Sequence, residues 1–181
     1  GETITLDYAK TGFLPVQRQK AVPWQDFVMV DDVVMIPTDA QMTTIASGAM
    51  SMQVARGTVQ SDASGTRQGT VMVPAGTSAS LVQPDGSLVS VNSISVRLTE
   101  YTVGPSGPRA MPGDLPPTSG YTYAVELGAD EAVAKVNGRD IVFSQPVTFY
   151  VENFLAFPVG TVVPVGYYDR DKVAWVPSQS G

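Results

Sequence analysis

The sequence predicts an all-β chain folded as a β-sandwich, and three observations point to it. Seventeen Gly and 14 Pro cut the 181 residues into short runs rich in β-branched and aromatic side chains, which is how strands joined by tight turns read. Inside these runs apolar residues alternate. Val147, Phe149 and Val151 share one face of an extended chain, with Thr148, Tyr150 and Glu152 on the other, and Tyr121, Tyr123, Val125 and Leu127 repeat the pattern. Helical spacing is confined to one short stretch, a helix of one or two turns near 130–135, where Asp130 is placed to cap and the acidic start suits the helix dipole.

Strands are expected near 3–9, 13–22, 27–36, 51–60, 68–73, 79–83, 93–102, 121–127, 140–144, 147–152, 161–167 and 173–176. Asp62-Ala63-Ser64-Gly65, Gln83-Pro84-Asp85-Gly86-Ser87 and Asp169-Arg170-Asp171-Lys172 carry turn chemistry and mark hairpins. Asn137-Gly138 reads as a tight return into the strand at 140–144. Pro146 has no N–H to donate and marks a bend between two strands. Residues 103–120 contain five Pro and four Gly, which forbid a regular ladder. Met111 and Leu115 favour an ordered loop laid across the sandwich. Near 38–50 the long aromatic runs give way to small residues. The boundary is placed there, with 1–38 the terminal strands of a preceding sandwich and 39–181 a second sandwich domain.

The composition removes whole classes of function. A formal net charge of −6, with basic residues scattered, argues against nucleic acid, whose phosphates are met by clustered Lys and Arg. With no His and no Cys, a Ser-His-Asp triad, a Cys-His pair, the usual zinc sites and any disulfide framework are all out of reach. No apolar run reaches the length of a membrane span and no leader-like segment is present. The first residues already alternate like a strand and lack an initiator Met, which reads as a piece of a longer polypeptide. No catalytic, cofactor-binding or metal site is expected.

Val22-Pro23-Trp24-Gln25-Asp26-Phe27-Val28-Met29-Val30-Asp31-Asp32-Val33-Val34-Met35-Ile36-Pro37 resembles a segment of the teneurins and of their bacterial relatives, the YD-repeat (Rhs) proteins. Leu98-Thr99-Glu100-Tyr101-Thr102-Val103-Gly104-Pro105 is similar to the same family. So are Phe143-Ser144-Gln145-Pro146-Val147-Thr148-Phe149-Tyr150-Val151-Glu152-Asn153-Phe154 and the stretch from Pro158 to Asp171, with Ala174-Trp175-Val176-Pro177 after it. The resemblance implies the end of a transthyretin-like (carboxypeptidase-regulatory-like) sandwich over 1–38, followed by a fibronectin-like plug. It also implies a non-catalytic role, as a cap on the shell that encloses the parent's C-terminal cargo, in a secreted or cell-surface protein. The partner would be the YD-repeat shell of the same chain. A second likeness, over 70–181, is to the β-sandwich of ankyrins and netrin receptors. Some of those domains cleave themselves between Phe and Ser after a His. Phe143-Ser144 is present here, but Val142 stands before it and the chain has no His.

An interface with the shell would draw on Met111, Leu115, Phe154, Leu155 and Phe157, apolar residues in Gly- and Pro-rich connections where a sandwich otherwise prefers polar ones. The alternative is an adhesive module that binds glycan or a host protein, with Tyr167, Tyr168 and Trp175 as its candidate groove. Trp24 and Trp175 are read first as packing residues. Asp31, Asp32 and Asp39 supply too few oxygens at fixed spacing for calcium, and Asp169 with Asp171 reads as a solvated, charge-balanced hairpin tip. An acid hydrolase would need two of the 17 acids to converge in a cleft. A Lys crosslink would need one of Lys10, Lys20, Lys135 and Lys172 buried beside a carboxylic acid.

Overall fold

The computed structural model describes residues 1–102, 106–116, 122–132 and 139–178. The chain begins with β1 (Glu2–Tyr8) and β2 (Val16–Val22), an antiparallel ribbon in register from Glu2 opposite Val22 to Tyr8 opposite Val16. Then come β3 (Thr43–Ala46), β4 (Gln53–Arg56), β5 (Gln60–Asp62), β6 (Gly65–Arg67), β7 (Thr70–Val73), β8 (Ala79–Val82), β9 (Leu88–Val91) and β10 (Ser93–Glu100). A four-residue helix, α1 (Gly107–Ala110), precedes β11 (Val125–Ala129), β12 (Ile141–Phe143), β13 (Thr148–Tyr150), β14 (Gly166–Asp169) and β15 (Ala174–Pro177). The fold is all-β, as the sequence predicts.

Three antiparallel three-stranded sheets, in the orders β11-β10-β3, β13-β7-β4 and β12-β8-β9, are joined by the hairpins β1-β2, β5-β6 and β14-β15. The sheets send their inner faces into one aliphatic core: Ile45, Ala55, Val71, Val73, Ala79, Leu81, Ile94, Val96 and Leu98, flanked by Val91, Val125, Ile141, Phe143 and Val147. This is sandwich architecture. Along β10 the even positions Ile94, Val96 and Leu98 all turn inward. Full burial of each such side chain contributes roughly 1.5–3 kcal/mol.

A second, smaller core joins distant parts of the chain. Leu14, Tyr101 and Met111 are buried together, with Ile36, Leu115, Ala124 and Trp175 packed around them. The segment 34–38 runs back along 12–14: Leu14 N–H donates to Ile36 O at 2.8 Å, and Thr38 N–H to Gly12 O at 2.9 Å. Residues before 38 therefore share a core with residues from 101 to 175. In the connection after β10, Met111 and Leu115 are packed and α1 forms a regular turn.

Several expectations need correction. The run 27–36 is not a strand. Its apolar residues lack a neighbouring ladder, and Phe27 and Met29 stand 84% and 83% exposed. The run 51–60 divides into β4 and β5 at Gly57, where a Cβ would lie 2.5 Å from Leu98 O, so backbone passes too close for a side chain. Thr43–Ala46, which looked like connection, forms β3 because β10 offers it an edge and Ile45 a core site. β14 starts at Gly166, later than the expected 161–167. Asp130 caps no helix; it sits in a turn and grips Arg97, donor to acceptor at 2.7 and 2.8 Å. The remainder of that expected helix, and Asn137-Gly138, lie outside the described residues.

Candidate interaction surface

The loop after β13 holds three of the sequence-selected residues, and its shape follows from Asn153. The Asn153 side chain accepts from Phe157 N–H at 2.9 Å and donates to Phe157 O at 2.7 Å, closing residues 153–157 into a clasp. Ala156 takes a left-handed φ of 54° inside it. Phe154 turns inward, Leu155 is half-buried, and Phe157 is held partly exposed.

Phe154 rests on a charged base. The Arg67 guanidinium lies 4.7 Å from the centre of its ring, and Tyr123 meets it edge-on at 6.2 Å. Phe149 stacks on the other side of Tyr123, at 6.1 Å. Beneath them Arg67, only 2% exposed, donates to Glu100 through Nε at 2.8 Å and again through Nη2. It also donates to both oxygens of Asp62, at 2.9 and 2.8 Å. Glu100 takes a further bond from the Thr102 hydroxyl. The Asp62 bond and the Glu100 contacts push the Arg67 pKa up, and burial raises that of Tyr123 well above its ordinary value. The guanidinium is fully occupied by these acceptors, and its face supports the Phe154 ring.

Met111 and Leu115 belong elsewhere. Met111 is 1% exposed in the second core, because Arg18 donates to Met111 O at 3.0 Å and to Arg109 O at 2.8 Å and draws the loop down. It is an interior residue and not part of an exposed patch. Leu115 is half-buried against the same core.

Three strongly exposed apolar side chains lie where sequence reasoning expected a strand or a packing residue. Trp24 is 79% exposed, beside Phe27 and Met29, on the arm that leaves the tip of the β1-β2 ribbon. Gln25 turns this arm with a φ of 54°, and Asp26 caps Phe27 N–H at 2.8 Å. The signal available in the sequence was Pro23 with Asp26, a turn pair interrupting the apolar run. Val159 and Val162, past the clasp, are also exposed.

Other candidate sites resolve differently. Tyr168 and Trp175 pack on each other with ring centres 5.5 Å apart, and Trp175 Nε1 reaches Gly113 O at 3.5 Å, so the pair packs against the loop at Gly113. Asp169 is not solvated: it is 0% exposed, accepting from Lys172 Nζ at 2.7 Å and from the N–H groups of Asp171 and Lys172. The Lys172 bond lowers its pKa. A hollow of about 160 Å³ is lined in part by Glu126, Asp130, Arg97 and Thr99. There Arg97 holds Asp130 below the usual carboxylate range, while Glu126 accepts from Tyr101 Oη at 2.9 Å and lies 3.7 Å from Arg170. A second hollow, about 370 Å³ and widely open, lies at the ribbon tip between Gly1, Thr3, Ala21 and Pro23. Among the described residues no three His, Cys, Asp or Glu converge as metal ligands, and no helix is long and apolar enough to cross a membrane. No family model matches the sequence, and neither a curated protein nor a solved structure does.

Proposed function

We propose that this chain is a non-catalytic structural plug of a secreted or cell-surface YD-repeat protein, seated on the shell of its own parent. The observation that carries this reading is the apolar arm: Trp24, Phe27 and Met29 are each about four-fifths exposed on a segment that packs on no sheet. A monomer rarely leaves such side chains together in water, and apolar surface of this kind marks a docking face. The family resemblance supplies the partner, and the all-β fold agrees with it.

Two further features support an interaction role over a chemical one. A general acid requires a carboxyl pKa moved up toward neutrality, whereas Asp130, the acid best placed in a hollow, is moved down by Arg97. Of the three aromatic residues that would form a glycan groove, Tyr167, Tyr168 and Trp175, the last two are engaged with each other and Trp175 with Gly113. The clasp residues Leu155 and Phe157 form a second candidate contact.

The test is calorimetric titration of this chain with the separately expressed downstream YD-repeat region, mapped by hydrogen exchange. Binding that falls at least tenfold in Phe27→Asp, with protection over 22–29 or 153–158, is the expected result. Absence of binding by a well-folded chain overturns the plug and directs attention to glycan and host-protein ligands. Intact binding by Phe27→Asp, Leu155→Asp and Phe157→Asp would remove both faces from the proposal.

A further inference from the structure

We infer that β1 is a self-pairing edge, joining β1 of a second copy of this chain antiparallel about a two-fold axis at Thr5. In an antiparallel pair, alternate residues point N–H and C=O away from the partner strand. On β1 those outward groups meet no hydrogen-bond partner among the described residues. The outer side of β2 is different. There Gln17 N–H donates to Pro112 O at 2.7 Å, and Arg18 reaches the carbonyls of Arg109 and Met111.

Exposed edges are normally blunted by short length, Pro, Lys or a bulge. β1 has no Pro, Lys or bulge, and its two charges, Glu2 and Asp7, sit toward its ends. It runs seven residues in unbroken register, whereas the outer strands of the three-stranded sheets have three to five.

The sequence of β1 complements itself in one register. With Thr5 opposite Thr5, all seven residues pair: Glu2 meets Tyr8, Thr3 meets Asp7 and Ile4 meets Leu6. No acid faces an acid, and the apolar residues Ile4 and Leu6 meet on the half-buried face. Thr3, Thr5 and Asp7 stay together on the exposed face. Sliding by two residues in either direction keeps the faces but leaves two residues of each strand unpaired. The antiparallel arrangement also sets the ribbon tip, with Pro23 and Trp24, beside the base of the other copy's ribbon. This inference stands on the edge alone and does not depend on the plug reading.

A two-strand contact is small, so association is to be measured by sedimentation equilibrium from about 1 μM to 1 mM, the range of weak interfaces. The wild-type chain is expected to become dimeric toward the upper end, with concentration-dependent amide protection in β1. Thr5 is exposed on the polar face, so its substitution leaves the fold intact. Thr5→Lys opposes two like charges at the axis and should weaken the dimer about two- to fivefold. An equimolar mixture of Thr5→Lys and Thr5→Glu should restore association as a mixed dimer. Thr3→Lys, placed opposite Asp7, should strengthen it. A wild-type chain monomeric throughout, or a Thr5→Lys variant that associates as wild type does while Thr3→Lys changes nothing, overturns the inference.

Discussion

The two cores of this molecule are built on different terms. The larger is aliphatic, and its backbone is satisfied by ladders, with β10 hydrogen-bonded on both sides to β3 and β11. The smaller gathers Leu14, Tyr101 and Met111 from irregular segments and Trp175 from β15, and side chains meet several backbone groups that no ladder reaches. Arg18 serves the carbonyls of Arg109 and Met111, Arg170 that of Pro15 at 3.1 Å, and Trp175 that of Gly113. A ladder distributes the hydrogen-bonding requirement over many residues, whereas the second core meets part of it through the side chains of Arg18, Arg170 and Trp175. The first core is therefore sensitive to lost volume, and the second to a lost donor or a lost gap.

The sharpest break in the first core is Ile94→Ala at a position with 0% exposure, expected to cost about 2–5 kcal/mol by denaturant unfolding. Amide protection should fall across all three larger sheets. In the second core Arg18→Met keeps bulk but leaves carbonyls without their donor, with an expected cost of about 1–3 kcal/mol. Exchange should accelerate at 14–18, 34–36 and 109–114 and stay slow in β10. Equal acceleration in β10 would mean the two cores unfold as one unit.

Gly113→Ala tests the gap. A Cβ there would lie 2.2 Å from the Tyr168 ring, so Tyr168 and Trp175 must shift, at an expected cost of about 1–3 kcal/mol. The change is read by near-ultraviolet circular dichroism, since both aromatic rings report on that region. No change in the aromatic signal would show that the ring has free space to move into.

The smallest expected effects are those of pH. Asp130 and Asp169 are held below the ordinary value of 3.8 by Arg97 and Lys172. The unfolded chain therefore takes up their protons first as pH falls. Their contribution is complete above about pH 5 and is lost through 3.8 and below. On the alkaline side burial raises the phenols of Tyr101 and Tyr168, the latter to about 12 from 10.0. These groups stay protonated when folded, so the Tyr168 contribution is intact below pH 10 and is lost as pH rises toward 12, and that of Tyr101 is lost in the same direction. Thermal unfolding across both windows checks the signs, and Tyr168→Phe should flatten part of the alkaline loss.

The hairpins were readable from local chemistry. Asp62 to Gly65, Gln83 to Ser87 and Asp169 to Lys172 each encode a turn within four or five residues, and each closes the ladder expected of it. Alternation was less reliable at edges. Phe149 lies on the inward side of β13 yet remains 37% exposed, because β13 is an outer strand of only three residues. The run 27–36 is rich in apolar and β-branched residues on both sides of Asp31-Asp32 and forms no strand.

The sequence by itself determined the all-β class, three hairpin turns and the exclusion of His- and Cys-based chemistry, since these depend on residue type and on neighbours a few positions apart. Only the tertiary structure decided the rest. Ile45 became part of a strand because β10 presented an edge. Met111 became core because Arg18, 93 residues earlier, binds its carbonyl. Trp24 and Phe27 were left in water because no sheet received them. Each of these outcomes depends on a partner distant in sequence, and residue type carries no information about which distant partner the fold will bring.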